Sequence, residues 1–160
     1  MPHKQGLKNL IEQFFGKDRE VRGIEIGCFK GELPLFILSN LMNVSLISID
    51  PCLYWDAVIK NTKNYANRFQ IISLASNKAV SLVDGRIDFV FIDGDHSYQQ
   101  CREDILNYLP LISKDGFISG HNYHKAESSA HPGVHQAVDE IFKDKVKLEE
   151  DFIWYVQVKR

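Results

Sequence analysis

The sequence predicts an α/β fold with a doubly wound, mostly parallel seven-stranded sheet and an antiparallel C-terminal strand. Short apolar runs of strand length alternate with segments of helical periodicity along most of the chain, the pattern typical of such folds. Ile87–Ile92 is almost wholly apolar, as expected of a strand buried on both faces of a parallel sheet. Two apolar runs near the end are separated by only Glu149–Asp151, too few residues for a crossover helix, so they should form an antiparallel hairpin.

The first half of the chain is predicted to open with a helix over residues 4–17, because apolar side chains recur there at three- and four-residue steps before Gly16. This helix belongs to an N-terminal segment, residues 1–19, that should pack on the sheet. Strands and helices then alternate by the same signals. The strands are Val21–Ile26, Ser45–Ile49 and Phe69–Leu74, and the helices are Leu33–Leu41, Trp55–Phe69 and a short one through Val83 that Ser76 caps.

The second half of the chain begins with the strand Ile87–Ile92 and a helix that runs to about Leu111. Ser97 and Gln100, at the start of this helix, have the spacing of a capping box. Residues 120–131 are polar and without periodicity, and they should form a mobile loop. The other predicted elements are a short strand Phe117–Ser119 after the turn Lys114–Gly116, a helix opened by Pro132, and the hairpin strands Val146–Leu148 and Phe152–Val158.

The length and composition of the chain predict a single globular domain. The 160 residues suffice for one domain, residues 1–160, and 44% hydrophobic with 25% charged residues is ordinary for a globular protein. A net charge of −2 offers no basic surface for nucleic acid, and no apolar run resembles a signal peptide or a membrane span. The three cysteines are scattered in apolar segments, which favours reduced thiols in a cytoplasmic protein. Trp55 and Trp154 are expected in the core.

The most informative stretch is the turn after the strand Ile87–Ile92. Asp93, Gly94, Asp95 and His96 stand where a buried strand hands over to a helix, and ligands of open α/β sheets bind at the carboxyl ends of the strands. Two acids and an imidazole in one tight turn exceed the needs of a helix cap, so we interpret the turn as functional. The alternative is that Asp93 and Asp95 only end the strand and cap the helix.

A second candidate site follows the first strand. Gly27 and Gly31 would let the backbone approach a bound nucleoside or amino-acid group. The residues between them are Cys-Phe-Lys30, so the central glycine of a pyrophosphate-binding motif is missing. Asp50, at the end of the second strand, can accept hydrogen bonds from both ribose hydroxyls, or it is a turn residue before a proline. Glu25 lies in an apolar strand and needs a partner, either the ammonium of a bound amino acid or a structural salt bridge.

These motifs together resemble the small bacterial Class I S-adenosylmethionine-dependent methyltransferases, whose sheet is Rossmann-like. The relevant group contains the macrocin-type sugar O-methyltransferases and relatives of catechol O-methyltransferase. The resemblance spans roughly residues 20–142. Its most specific parts are Phe-Ile-Asp-Gly-Asp-His-Ser-Tyr over residues 91–98 and Gly-His-Asn-Tyr over residues 120–123, supported by Glu-x-Gly-x-x-x-Gly over 25–31, Asp50 and His-Pro-Gly-Val over 131–134.

The resemblance implies a role for each matching residue. In the cofactor S-adenosylmethionine, the methionine end would contact Glu25, Gly27, Lys30 and Gly31, the ribose Asp50, and the adenine edge Ala75, Ser76 and Asn77. Asp93 would lie beneath the sulfonium. The resemblance also implies magnesium bound by Asp93, His121 and Asn122, and His96 as the general base that deprotonates a small-molecule or sugar hydroxyl.

The sequence departs from the family pattern at several positions. Leu33 replaces a serine that binds the cofactor carboxylate, and His121 replaces an aspartate ligand, which makes a magnesium site less anionic. A cofactor-binding module without catalysis therefore remains an alternative. A nicotinamide-dependent oxidoreductase is disfavoured by the missing glycine and the terminal hairpin. A small open-faced domain is also compatible with a homodimer that completes the acceptor site.

Four histidines lie between residues 121 and 135, and they raise the question of zinc. His131 and His135 are four residues apart, but Pro132 and Gly133 at a helix start lie between them. We therefore expect His121, His124, His131 and His135 to be loop or substrate-facing residues.

Overall fold

A computed structural model describes residues 2–124 and 130–159. Within these residues the α-helices are α1 (Pro2–Phe15), α2 (Glu32–Asn40), α3 (Trp55–Thr62), α4 (Ser76–Ala79), α5 (Tyr98–Tyr108) and α6 (Pro132–Phe142). The strands are β1 (Val21–Ile26), β2 (Val44–Ile49), β3 (Phe69–Ile72), β4 (Ile87–Ile92), β5 (Ile112–Gly120), β6 (Lys147–Glu149) and β7 (Ile153–Gln157).

The seven strands form one sheet in the order β3-β2-β1-β4-β5-β7-β6. Strands β1 to β5 pair in parallel, while β7 runs antiparallel to both β5 and β6. The last strand therefore inserts between β5 and β6 and is the reversed strand of the sheet. The predicted fold class and the terminal hairpin are confirmed.

Helices cover both faces of the sheet because side chains of a strand alternate between them. Phe89 and Phe91 of β4 pack with buried leucines of α1 and α2, whereas Val90 and Ile92 pack with α5 and α6. All six residues of β4 are buried, which fits a run that is apolar except for Asp88. The central strand is thus fixed from both sides, and the turn that follows it is held rigidly.

The start of α5 is built as predicted, with one difference. Ser97 is the N-cap, and its side chain accepts a hydrogen bond from the Gln100 backbone N–H. The Gln100 side chain does not complete the capping box; it donates instead to Ser76 Oγ and Asp104 Oδ1. Asp95 Oδ1 accepts from the Ser97 N–H at 2.7 Å and takes over that half of the cap. Asp95 is therefore structural.

Several predicted bounds need correction. The strand β5 is longer than Phe117–Ser119, because the chain passes an irregular step near Asp115, whose φ is +66°, without leaving the sheet. Ser76 does not cap α4, since its hydroxyl bonds to a side chain of α5 and Ala75 occupies the N-cap position. The third predicted helix ends early, at Thr62, in a short 3-10 turn.

The predicted core is correct for Trp154, which is fully buried, and wrong for Trp55, which is 44% exposed in the first turn of α3. The three cysteines are free thiols, as predicted. Of the loop predicted over residues 120–131, residues 125–129 lie outside the described residues. No helix within the described ranges is long and apolar enough to cross a membrane.

Candidate active site

A cleft of about 450 Å³ opens at the carboxyl ends of β1, β2 and β4. Each of these strands ends on a candidate residue at its wall: Gly27 after β1, Asp50 after β2 and Asp93 after β4. The remaining lining residues are Ile26, Phe29, Ile49, Pro51, Leu53, Tyr54, Ala75, Ser76, Gly94, Asp95, Gln100 and Asp104. The cleft is large enough for a small-molecule ligand.

Gly27 is required by the close approach of two loops at the floor of the cleft. Its φ is +90°, and a Cβ at this position would collide with the backbone of Asp93 and Gly94. Its N–H donates to the carbonyl of Ile49 at 2.8 Å. Glycine therefore lets the loop after β1 pass directly against the turn after β4, which joins the cofactor-side and catalytic-side candidates.

Asp50 is anchored and also faces the cleft. Its Oδ2 accepts from the Phe29 N–H at 3.0 Å, and its Oδ1 accepts from the Cys52 N–H at 2.6 Å. The bond from Cys52 closes the turn after β2, and the bond from Phe29 holds that turn to the loop after β1. Each carboxylate oxygen retains further acceptor capacity for a ligand hydroxyl.

Glu25 lies beside the cleft but does not line it. The side chain is buried, and Oε2 accepts from the Ser48 hydroxyl of the neighbouring strand at 2.5 Å. Burial raises the pKa of this carboxyl to about 8, and the hydrogen bond from Ser48 only partly opposes that effect. Its direct hydrogen-bond partner is thus a hydroxyl, and the group is neutral at pH 7.

An aromatic rim borders the cofactor side of the cleft. The rings of Phe29 and Tyr54 meet edge to face with centroids 4.6 Å apart, and both side chains are exposed. Lys30 Nζ lies about 5 Å from both ring centroids, at 5.1 and 5.2 Å. Lys30 therefore supports the rim by cation–π contact, and it does not line the cleft. Gly31 is the N-cap position of α2, with φ +74°.

The predicted adenine edge is built around a network that the sequence did not reveal. Ser76 Oγ donates to Asp104 Oδ1 at 2.5 Å, and Gln100 Nε2 donates to the same oxygen at 2.9 Å. Asp104 Oδ2 is buried and has no hydrogen-bond partner among the described residues. Ala75 and Ser76 line the cleft, while Asn77 is exposed on α4 and does not.

The turn after β4 brings three polar side chains together. His96 Nε2 lies 3.3 Å from Asp93 Oδ1 and 2.9 Å from Asn122 Nδ2. The ring of His131, at the start of α6, packs on His96 with centroids 4.2 Å apart. Burial opposes ionisation of Asp93, but hydrogen bonds and charges of His121 and His96 outweigh it and lower the pKa of its carboxyl. Asp93 is therefore an anion beside His96.

His121 lies between two carboxylates. Its Nδ1 is 3.6 Å from Asp93 Oδ1, and its Nε2 is 3.5 Å from Asp151 Oδ2. Burial opposes the charged ring, but the two carboxylates outweigh it and raise the pKa of His121. His3 of α1 joins this group, with ring centroids 4.7 Å from His121. No sequence pattern predicts His3 and Asp151 as neighbours of His121, because they come from distant parts of the chain.

The structure does not bring His131 and His135 together as a zinc pair. His135 pairs with Asp139 at 2.9 Å on its own helix, and His131 lies against His96. Among the described residues, the one group of three or more potential metal-ligating side chains is His3, His121 and Asp151.

A larger cavity, about 690 Å³, lies at the opposite end of the sheet, but its arginines are already paired. Arg19 and Arg86 both pair with Asp88, and Arg68 donates to backbone carbonyls of Leu38, Leu41 and Val44. The candidate active site is therefore the smaller cleft at the carboxyl ends.

The sheet order, the reversed β7 and the cleft at the carboxyl ends of β1, β2 and β4 define a Class I methyltransferase, a class that transfers the methyl of S-adenosylmethionine. The chain belongs to the family described as "Methyltransferase domain", whose model matches residues 24–123. An uncharacterized protein of Acanthamoeba polyphaga mimivirus is 32% identical over 154 aligned residues, which cover 89% of this chain and 67% of the viral protein.

Solved structures of similar fold include three methyltransferases. The O-methyltransferase of Bacillus cereus in complex with SAH has a TM-score of 0.73 at 17% identity, covering 98% of this chain and 80% of that one. The O-methyltransferase NovP has a TM-score of 0.75 at 16% identity, covering 99% and 80%. CalS11, a TDP-rhamnose 3'-O-methyltransferase, has a TM-score of 0.68 at 9% identity, covering 97% and 80%. At these identities the likeness shows the fold alone.

Proposed function

We propose that this methyltransferase transfers the methyl group to an oxygen nucleophile, a hydroxyl of a small molecule or sugar. The observation that carries the proposal is the contact of His96 Nε2 with Asp93 Oδ1 at the edge of the cleft. An imidazole beside an anion can accept the proton of a hydroxyl, and the anion then stabilises the imidazolium. Three similar folds belong to O-methyltransferases, which agrees with an oxygen acceptor.

The cleft fits the cofactor at its nucleoside end. Asp104 Oδ2, buried and without a partner in the described part of the chain, could take a hydrogen bond from the exocyclic amine of an adenine, and Ala75 and Ser76 lie along the same wall. Asp50 has acceptor capacity left for ribose hydroxyls. When bound, S-adenosylmethionine supplies an electrophilic methyl on a sulfonium.

The methionine end is assigned to the loop after β1. Gly27 would line that end of the ligand site, where it lets the loop pass against the turn after β4, and Lys30 and Gly31 shape the same loop. Glu25 is neutral in the free protein, and the ammonium of a bound amino acid would favour its ionised form. In this proposal, ligand binding in the cleft changes the ionisation of Glu25, which lies beneath it.

His96 is the proposed general base. In the proposed neutral ring the proton is on Nδ1 and the lone pair on Nε2, where the acceptor hydroxyl would replace the Asn122 amide that lies 2.9 Å away. After Nε2 takes the acceptor proton, the carboxylate of Asp93 pairs with the new charge. His131 packs on the ring and restricts its rotation. Catalysis thus rests on alignment of the acceptor and on this proton transfer.

Magnesium fits this site poorly, although Asp93, His121 and Asn122 lie together. Magnesium prefers oxygen ligands in near-octahedral geometry. Here the set offers one carboxylate and one imidazole, and the Asn122 amide nitrogen faces His96. Magnesium assistance stays a prediction of the family resemblance, and the proposed mechanism takes no step through it.

A cofactor-binding module without catalysis is the second candidate, favoured by Leu33. This side chain is buried in the core between α1, α2 and the sheet, so it cannot hold the cofactor carboxylate as a serine would. The predicted homodimer, which would complete the acceptor site, is tested separately by measuring the mass of the protein in solution.

The test combines ligand titration with turnover. Calorimetry with S-adenosylhomocysteine and separately with NAD should give binding of the former alone. Turnover of S-adenosylmethionine is then measured against a panel of phenols, sugars and hydroxy acids. His96→Ala should lower turnover at least about a hundredfold while product binding is unchanged, and His135→Ala on α6 is the matched control.

The outcomes separate the candidates. Full turnover of His96→Ala would disprove the assignment of the base. Cofactor-product binding without transfer to any acceptor would favour the binding module. If S-adenosylhomocysteine does not bind, the proposal fails as a whole.

A further inference from the structure

Three metal-ligating side chains converge at the edge of the active site from distant parts of the chain. His3 lies in the first turn of α1, His121 follows β5, and Asp151 lies in the turn between β6 and β7. Asp151 Oδ2 is 3.5 Å from His121 Nε2 and 3.7 Å from His3 Nδ1, and all three ligand atoms lie within 4.8 Å of one another. Ligand atoms around a tetrahedral zinc are separated by roughly 3.3 Å, as bonds of about 2.0–2.1 Å require.

We infer that His3, His121 and Asp151 bind a divalent transition metal of the zinc class. Two imidazoles and one carboxylate are a donor set that suits zinc and its neighbours, whereas magnesium prefers oxygen alone. The side chains of His3 and His121 are each 16% exposed and that of Asp151 is 26% exposed, so the site is partly shielded yet reachable from solvent.

The surroundings of His121 support its role as a ligand. A histidine that binds a metal through one ring nitrogen usually directs the other toward a carboxylate or carbonyl, which fixes the ring. His121 has this arrangement: Nε2 faces the proposed metal position beside Asp151, and Nδ1 faces Asp93 at 3.6 Å. Asp93 would therefore orient the ligand and link the metal site to His96.

The turn that carries Asp151 is held in an uncommon conformation. Asp151 and Phe152 have φ values of +57° and +58°, and positive φ is unfavourable for a bulky residue such as phenylalanine. Phe152 is fixed by its carbonyl, which accepts from the Tyr123 N–H at 3.1 Å, and by its ring, which packs on His124 at 3.7 Å. These contacts hold the hairpin turn against the segment of His121. The result is that Asp151 stays within reach of both imidazoles.

A metal bound at this site would be able to activate a water or a hydroxyl group. Three protein ligands leave an open position on a tetrahedral metal, which water or a hydroxyl can occupy with a lowered pKa. That an acceptor hydroxyl occupies it rests on the proposed function. Binding of the metal itself does not.

The test measures metal binding directly. Untagged protein, stripped with a chelator, is titrated with cobalt(II) as a spectroscopic substitute for zinc and by calorimetry with zinc. We expect one equivalent to bind with the intense visible absorption of tetrahedral cobalt. His3→Ala and Asp151→Asn should each weaken binding at least about tenfold, and His135→Ala, which removes a histidine outside the site, should not. Asparagine tolerates the positive φ at residue 151, so that variant preserves the turn.

Two further readouts make the result decisive. Zinc should raise the melting temperature of the unmodified protein, which needs no variant. Failure of that protein to bind one equivalent, or equal affinity in His3→Ala and Asp151→Asn, would overturn the inference. Weaker binding in Asn122→Ala without an effect in His3→Ala would also overturn it, by locating the metal elsewhere. S-adenosylhomocysteine titrated into metal-free protein separates the two proposals, because its binding tests the methyltransferase assignment alone.

Discussion

The strand β4 has an aspartate near each end, and the two carboxylates differ in burial and in the groups that they contact. Asp88, at the amino end, is buried, and its carboxylate accepts from Arg19, Arg86, Ser113 and the Arg22 backbone N–H. Asp93, just past the carboxyl end, is 22% exposed and faces two imidazoles. The first carboxylate is saturated by permanent cations, and the second is paired with groups that gain and lose protons.

This contrast explains why the larger cavity is not the better candidate site. The amino-end cavity contains more arginines, but their guanidinium groups are committed to Asp88, Asp84 and backbone carbonyls. The carboxyl-end cleft is smaller, yet it contains a buried oxygen of Asp104 without a hydrogen-bond partner among the described residues, and His96 lies at its edge. A site is defined by groups with unused bonding capacity, and neither volume nor charge count measures that.

Replacing Asp93 tests the functional end of the comparison and should have the largest effect. Asp93→Asn keeps the shape but removes the charge that, in the proposed mechanism, stabilises the His96 imidazolium. Turnover should fall about a hundredfold to a thousandfold, equivalent to about 3–4 kcal/mol in the barrier. Steady-state methyl transfer to the best acceptor measures it. The free energy of unfolding should change by less than about 1 kcal/mol, and a larger loss with unchanged turnover would make Asp93 structural.

Glu25 extends the comparison, because it is buried like Asp88 but its hydrogen bond comes from the Ser48 hydroxyl and not from a cation. With a pKa of about 8, against 4.5 for an unperturbed glutamate, the folded state holds a proton that the unfolded state releases. Its contribution to stability is therefore complete below pH 4.5 and is lost as the pH rises toward 8. Glu25→Gln removes this dependence, so its stability relative to the natural protein should increase by about 3–4 kcal/mol between pH 5 and pH 8.

Urea unfolding at pH 5 and pH 8 measures the effect of Glu25→Gln. The difference between the two proteins should be small at pH 5 and largest at pH 8. Glu20→Gln, at an exposed position just before β1, controls for the loss of one carboxylate. A difference that does not grow with pH would mean that Glu25 is ionised in the folded protein.

Local patterns made much of the carboxyl end predictable. The strands β1, β2 and β4 are mostly apolar, and the acidic turn after β4 is contiguous in sequence, so the placement of Asp93, His96 and Asp50 at one end of the sheet was predictable. The Ser97 cap was predictable for the same reason, because a capping bond spans only three residues.

What escaped prediction depends on contacts between distant segments. The partner of Glu25 is Ser48 on the next strand, and the partner of Ser76 is Asp104 on α5. Trp55 has helical spacing, but α3 turns it toward solvent beside the cleft. His3 and Asp151 approach His121 only once α1 and the hairpin are docked on the sheet. No spacing rule covers such long separations.

Asp88→Asn tests the structural end of β4 and should have the smallest effect of the three. The substitution keeps the volume but presents an amide N–H₂ to guanidinium groups that need an acceptor. Because Arg19 and Arg86 are 36% and 60% exposed, both can recover hydration, and we expect a loss of about 2 kcal/mol in the free energy of unfolding. Urea unfolding measures that loss, while turnover per folded molecule should match that of the natural protein. Loss of turnover with unchanged stability would invert the assignment, because it would mean that the amino end of β4, with its larger cavity, takes part in the reaction.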